Sequence, residues 1–105
     1  MPYEFFPKTV EQLLPPLYSQ DGLGEQAIVY VKFFTPDSSW TWYATEYDPA
    51  QRLFFGLVFG LEIELGYFSL DELKSATGPL GLHIERDIYW KSKTIAEVRR
   101  YHSSR

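Results

Sequence analysis

The stretch WTWYATEYDPAQRLFFGLVFGLEIELGYF, residues 40 to 68, is aromatic-rich and carries one clear turn signal, Asp48-Pro49, near its middle. It reads as the centre of a β-sheet. Side chains of a strand alternate between two faces. Trp40, Trp42 and Ala44 are therefore predicted on one face, and Thr41, Tyr43, Thr45 and Tyr47 on the other. Beyond the turn, Leu53, Phe55, Leu57 and Phe59 share one face, while Phe54 and Val58 share the opposite one with Gly56 and Gly60. A strand apolar on both faces belongs in the middle of a sheet, covered by helices, by its own curled sheet or by another subunit. The same two-sided pattern predicts a homodimer. The glycines point to a bend, a bulge or a close approach of another backbone. From Leu61 the alternation becomes regular, with Leu61, Ile63, Leu65 and Tyr67 on an apolar face and Glu62, Glu64 and Gly66 on a wet one.

Upstream, Ala27 to Phe34 alternates as a first strand, and Thr35-Pro36-Asp37-Ser38-Ser39 supplies the reversal that pairs it antiparallel with the Trp40 strand. Three segments have the form of a capping box, a hydroxyl residue followed three positions later by Glu or Gln. Thr9 to Gln12 predicts a short helix from about Val10 to Leu14, stopped by Pro15 and Pro16. Ser69 to Glu72 opens a second helix, closed by Gly78-Pro79. Thr94 to Glu97 starts a third, running to about Tyr101. Leu82 to Trp90 alternates as a fifth strand, and Tyr18 to Glu25 reads as a polar connection. The predicted fold is α+β, a curled antiparallel sheet of four to five strands in a meander with three short helices, one of them packed on a sheet face.

The 105 residues, 45% hydrophobic and 18% aromatic, suffice for a single domain whose core needs no disulfide or metal staple. Residues 91 to 105 form its basic C-terminal helix and tail. There is no cysteine, which excludes thiol catalysis, thiolate metal sites and disulfides. MPYEFFPK lacks the features of a signal peptide, so the cytoplasm is the expected compartment. Leu53 to Leu61, the longest apolar run, falls far short of the roughly 20 residues that span a bilayer as a helix. No membrane association is expected.

Charge is unevenly distributed. Residues 1 to 90 hold 5 Lys/Arg and 13 Asp/Glu, a net −8, whereas residues 91 to 105 hold 5 and 1, a net +4. An acidic body argues against tracking a phosphate backbone, and leaves only the basic tail to touch nucleic acid. Arg99, Arg100 and Arg105 equally suit the C-terminal dipole of a last helix.

Several constellations could carry chemistry. Glu46 and Asp48, two apart on a strand, could face the same way, as could Glu62 and Glu64; either pair could hold a hard divalent cation or divide acid and base roles. The plainer reading is a solvated strand face, with Asp48 initiating its turn. His83, Glu85 and Asp87 at alternate positions would project three metal-ligand types from one strand face, although any polar strand face can contain such residues. Trp40 and Trp42 could stack nucleobases, anchor a partner or simply be core. No nucleophile-elbow, phosphate-loop or dinucleotide-binding motif occurs. No cofactor is expected.

The strings KFFTPDSSWTWYATEYDP, FFGLVFGLEIELGYFSLDEL and GPLGLHIERDIYW resemble the domain of unknown function 2958 family, across roughly residues 11 to 90. That resemblance implies a setting in bacterial plasmids, integrative elements and phages, alongside anti-restriction modules, and implies no reaction. The expected function is a non-enzymatic protein-interaction module, accessory or counter-defence, that binds a host or element-encoded protein through Trp40, Trp42, Glu46, Asp48, Glu62 and Glu64. The alternatives are a metal-assisted hydrolase or nucleic-acid-processing enzyme, and a single-stranded nucleic-acid binder.

Overall fold

Four consecutive strands form the meander expected from the central stretch. A computed structural model describes residues 3–104. Strands β2 (Val31–Phe34), β3 (Thr41–Asp48), β4 (Leu53–Phe59) and β5 (Ile63–Ser69) pair antiparallel in sequence order. A short strand, β6 (Glu85–Arg86), adds to the free side of β2, giving an open sheet of order β5-β4-β3-β2-β6. Helix α1 (Lys8–Glu11) precedes the sheet, α2 (Leu70–Ser75) follows β5, and α3 (Ile95–Ser103) follows the last strand.

The predicted first strand, Ala27 to Phe34, is broken at Tyr30. Its first half is β1 (Ile28–Val29), which pairs with β7 (Lys93–Thr94) in a separate two-stranded sheet. The break has a packing cause. In an unbroken strand Val29, Val31 and Phe33 would share a face, yet Val29 is buried in one core cluster and Val31 and Phe33 in another. Tyr30 keeps its backbone satisfied across the break by donating its N–H to the Ala44 carbonyl at 3.0 Å.

A bulge shifts the register of β3. Ala44 pairs with Gly56 and Glu46 with Phe55, leaving Thr45 as the extra residue. Its hydroxyl donates to the Phe55 carbonyl at 3.0 Å. Tyr47, expected on the face of Tyr43, is carried instead into the cluster of Ala44, Phe33 and Phe54. A Cβ on Gly56 would lie 1.9 Å from the Tyr43 carbonyl oxygen, so the two strands approach as closely as they do only because glycine stands there.

The sheet therefore has a core on each side. One contains Phe33, Tyr47, Phe54 and Phe68 and is covered by Phe5, Phe6, α1 and the Leu70 and Leu73 face of α2. The other contains Val29, Tyr43, Leu57 and Phe59 beneath Ile95 and Val98 of α3. Both faces of β4 are thus covered within one chain.

Of the three capping boxes, one forms in full. Thr94 Oγ1 accepts from the Glu97 N–H at 3.1 Å, and Glu97 Oε1 accepts from the Thr94 N–H at 2.9 Å. At Ser69 the hydroxyl accepts from the Glu72 N–H at 3.0 Å, but α2 ends at Ser75, short of Gly78-Pro79. The Thr9 box does not form. Pro7 occupies the N-cap position and starts α1 two residues earlier than predicted, placing Thr9 inside the helix. The polar connection contains a 3₁₀ segment, Asp21–Gln26.

The predicted strand Leu82 to Trp90 shrinks to β6. Asp87 Oδ1 accepts from the Tyr89 N–H at 2.9 Å, a side-chain turn that ends the extended run, and residues 88 and 89 form the turn. The Arg86 side chain donates to the carbonyls of Phe5 and Glu4 and ties the N-terminal segment down. Among the described residues, no helix is long and apolar enough to cross a membrane.

Candidate functional site

The residues singled out from the sequence do not assemble into one surface. Glu46 is 3% exposed, which corrects its expected place on an interaction face. Its two carboxylate oxygens accept from the backbone N–H groups of Tyr18 and Gln20, each at 2.8 Å. Tyr18 lies at φ 74, so this buried acceptor holds a left-handed bend of the chain in place. Gln20 completes the fastening by donating to the carbonyls of Thr45 and Ile28 and accepting from the Ile28 N–H. Asp48 serves the turn it was read as starting, accepting from the Ala50 N–H at 3.0 Å and the Gln51 amide at 2.8 Å.

Trp42, Val58 and Glu64 form one cross-strand row, with Trp40 beside it. The two indoles stack on each other, centroids 5.8 Å apart, and Trp40 covers Gly60. Trp42 packs against the Tyr47 and Phe54 core, so Trp40 is the more accessible of the pair. Glu62 and Glu64 are exposed.

His83, Glu85 and Asp87 do not share one continuous strand. His83 bridges Thr77, Glu85 lies in β6, and Asp87 is engaged by its turn and by Lys32 Nζ at 3.9 Å. Among the described residues, no three His, Asp or Glu side chains gather in a way that could hold a metal ion.

Two features stand out instead. The first is β5, an edge strand. Ile63, Leu65 and Tyr67 pair with Phe59, Leu57 and Phe55, so they extend the sheet face that α3 covers. The helix does not reach them, and they are 55%, 47% and 51% exposed. A face expected to be core is open. Leu65 and Phe55 border a cleft of about 150 Å³ against the 3₁₀ segment, with Gln20, Glu46 and Ile95 among its other walls. Hydrogen bonding with the Tyr18 hydroxyl raises the Tyr67 phenol above its ordinary value.

The second is a cavity of about 290 Å³ on the α3 side of the sheet. Tyr43 and Val98, both buried, lie at its base, and Lys32, Lys91 and Lys93 line it with Trp90, Tyr89 and Tyr101. The β1–β7 pairing brings Lys93 there, and the turn after β6 brings Tyr89 and Trp90. The period-two reading of Leu82 to Trp90 hid this group, because it treated Trp90 as the end of a strand.

Comparison with curated proteins and with solved structures finds no match to this chain. The family model described as Protein of unknown function (DUF2958) matches residues 10–101, nearly the whole chain, and the chain belongs to that family.

Proposed function

We propose that this protein is an interaction module of mobile genetic elements that binds a host or element-encoded protein by adding a partner strand to β5. The observation that carries this reading is the open apolar face of Ile63, Leu65 and Tyr67 on an edge strand. An edge strand offers unpaired backbone groups to an incoming chain, and alternate side chains supply specificity. The cleft beside Leu65 would take one apolar anchor of the partner, the kind of contact that dominates binding energy. Glu62 and Glu64 on and beside the same strand favour a partner carrying Lys or Arg. A second copy would bring like charges together across a short strand pair, which opposes self-pairing. The mobile-element setting, and a role in blunting a recipient cell's defences, rest on the family resemblance. The role needs no chemistry of its own, in keeping with carboxylates that are occupied by turns and backbone or stand apart.

The test is affinity capture from a nuclease-treated host lysate with the native protein and a folded Leu65→Glu variant. A stoichiometric partner held by the first and lost by the second supports the reading. Equal capture by both, or no capture by either, overturns it.

A further inference from the structure

The lysine-lined cavity points to a different ligand from the one proposed for β5. We infer that it binds a nucleoside monophosphate, either free or as the terminal unit of a single strand. Among the described residues, three lysines line it and Asp87 is the one carboxylate there. Asp87 is already shared between Lys32 and the Tyr89 N–H. Among the described residues, neither Lys91 nor Lys93 has a carboxylate within 4 Å, although Lys93 acts on Glu97 at longer range. Such a cationic recess on a chain of net −4 sets Lys91 and Lys93 of the basic end beside Lys32 of the acidic body. Lysine ammonium groups act as point charges for phosphate, and focusing within a cleft strengthens their field.

The aromatic lining selects the rest of the ligand. The Trp90 indole N–H donates to the Val29 carbonyl at 3.1 Å, which fixes the ring. Lys93 Nζ lies 5.0 Å and Lys32 Nζ 5.9 Å from the centroid of that ring, so the Trp90 ring holds two lysine cations at the cavity and the stacking surface is left to Tyr89. Tyr89 stands at the rim, 85% exposed, beside Lys91. A base stacking on a tyrosine while its phosphate meets lysines is a common mode of single-nucleotide recognition. A cavity of about 290 Å³ is at the lower end of small-ligand clefts and suits one nucleotide unit. The acidic surroundings disfavour a long phosphate track.

The experiment is a titration of ¹⁵N-labelled full chain with AMP, UMP, adenosine, inorganic phosphate and a single-stranded oligothymidylate, following the Trp90 indole signal assigned through Trp90→Phe. At least one nucleotide is expected to shift that signal and to bind about tenfold more tightly than adenosine or phosphate, the effect of one charge-assisted hydrogen bond. Lys91→Ala, at an exposed position that leaves the fold intact, weakens nucleotide binding by several-fold to about tenfold. Tyr89→Ala weakens the nucleotide and leaves phosphate unaffected. Tighter binding of the oligonucleotide at the same signal assigns the site to a strand end; equal or tighter binding of the mononucleotide assigns it to the free ligand. No nucleotide-dependent shift at Trp90, or phosphate binding as tightly as the nucleotides, overturns the inference. Leu65→Glu should leave this titration unchanged, which separates its outcome from that of the β5 proposal.

Discussion

The Tyr43 hydroxyl and His102 Nε2 lie 2.7 Å apart, a hydrogen bond between the centre of the sheet and the end of the last helix. The His102 ring also stacks on Phe59, with centroids 3.8 Å apart. A residue that reads as tail is therefore a fastener of α3 over its core. His102→Ala should lower stability by about 1–2 kcal/mol, combining a hydrogen bond with an aromatic contact. His102→Phe keeps the stacking and should recover roughly half of that loss. Urea unfolding followed by circular dichroism measures both.

Glu46 and Asp48 sit two positions apart on the same strand and should respond very differently to loss of charge. Glu46→Gln sets an amide NH₂ against one of two backbone N–H donors. It should cost about 1–3 kcal/mol and speed hydrogen exchange at Tyr18 and Gln20. Asp48→Asn, at a partly exposed turn, should change stability by less than about 0.5 kcal/mol. Equal effects from the two substitutions would contradict the assigned roles.

Gly56 and Gly66 face each other across β4 and β5 but have opposite tolerances. A Cβ at Gly56 meets the backbone of β3, whereas one at Gly66 meets nothing within 4 Å. Gly56→Ala should destabilise by at least about 4 kcal/mol or prevent folding, because backbone rather than a movable side chain must yield. Gly66→Ala should be neutral or slightly stabilising. Thermal melts of the two variants test the contrast.

Two carboxylates make folding sensitive to acid. Backbone and hydroxyl hydrogen bonds from Thr94 hold Glu97 below the usual carboxylate range. The guanidinium of Arg52, bonded to Asp71 at 2.9 and 3.0 Å, does the same for Asp71. A group whose folded value is depressed contributes its full stability above the unfolded value and loses it as pH falls through the folded one. Melting temperature should therefore hold down to the ordinary carboxylate range and decline as pH falls through and below it, and Glu97→Gln should flatten that limb. Chemical-shift titration of the two carboxyl carbons checks the direction for each.

The strands of the meander, the turns at Asp48 and Gly60 and the helices after Ser69 and Thr94 were legible because each depends on local pattern: alternation, a turn residue, a capping pair. The boundaries that failed were those with a tertiary cause. Tyr30 and Thr45 look like ordinary strand residues. The break at one and the bulge at the other exist because a two-faced sheet must send neighbouring segments into different cores. Glu46 reads as a surface acid on any periodicity argument, and only the return of the Tyr18 to Gln20 segment over it supplies two backbone donors and buries it.

The same division governs the surfaces. Alternation alone marked Ile63, Leu65 and Tyr67 as apolar and Lys91 and Lys93 as part of a basic end, since side-chain chemistry and spacing are written locally. Whether an apolar face is covered depends on how far a nine-residue helix reaches across the sheet, and α3 stops short of β5. Whether lysines share a cavity with tryptophan and tyrosine depends on β1 pairing with β7, a contact between residues more than sixty positions apart. Such long-range pairing has no period to detect along the chain, because it is set by which segments the folded sheet brings together.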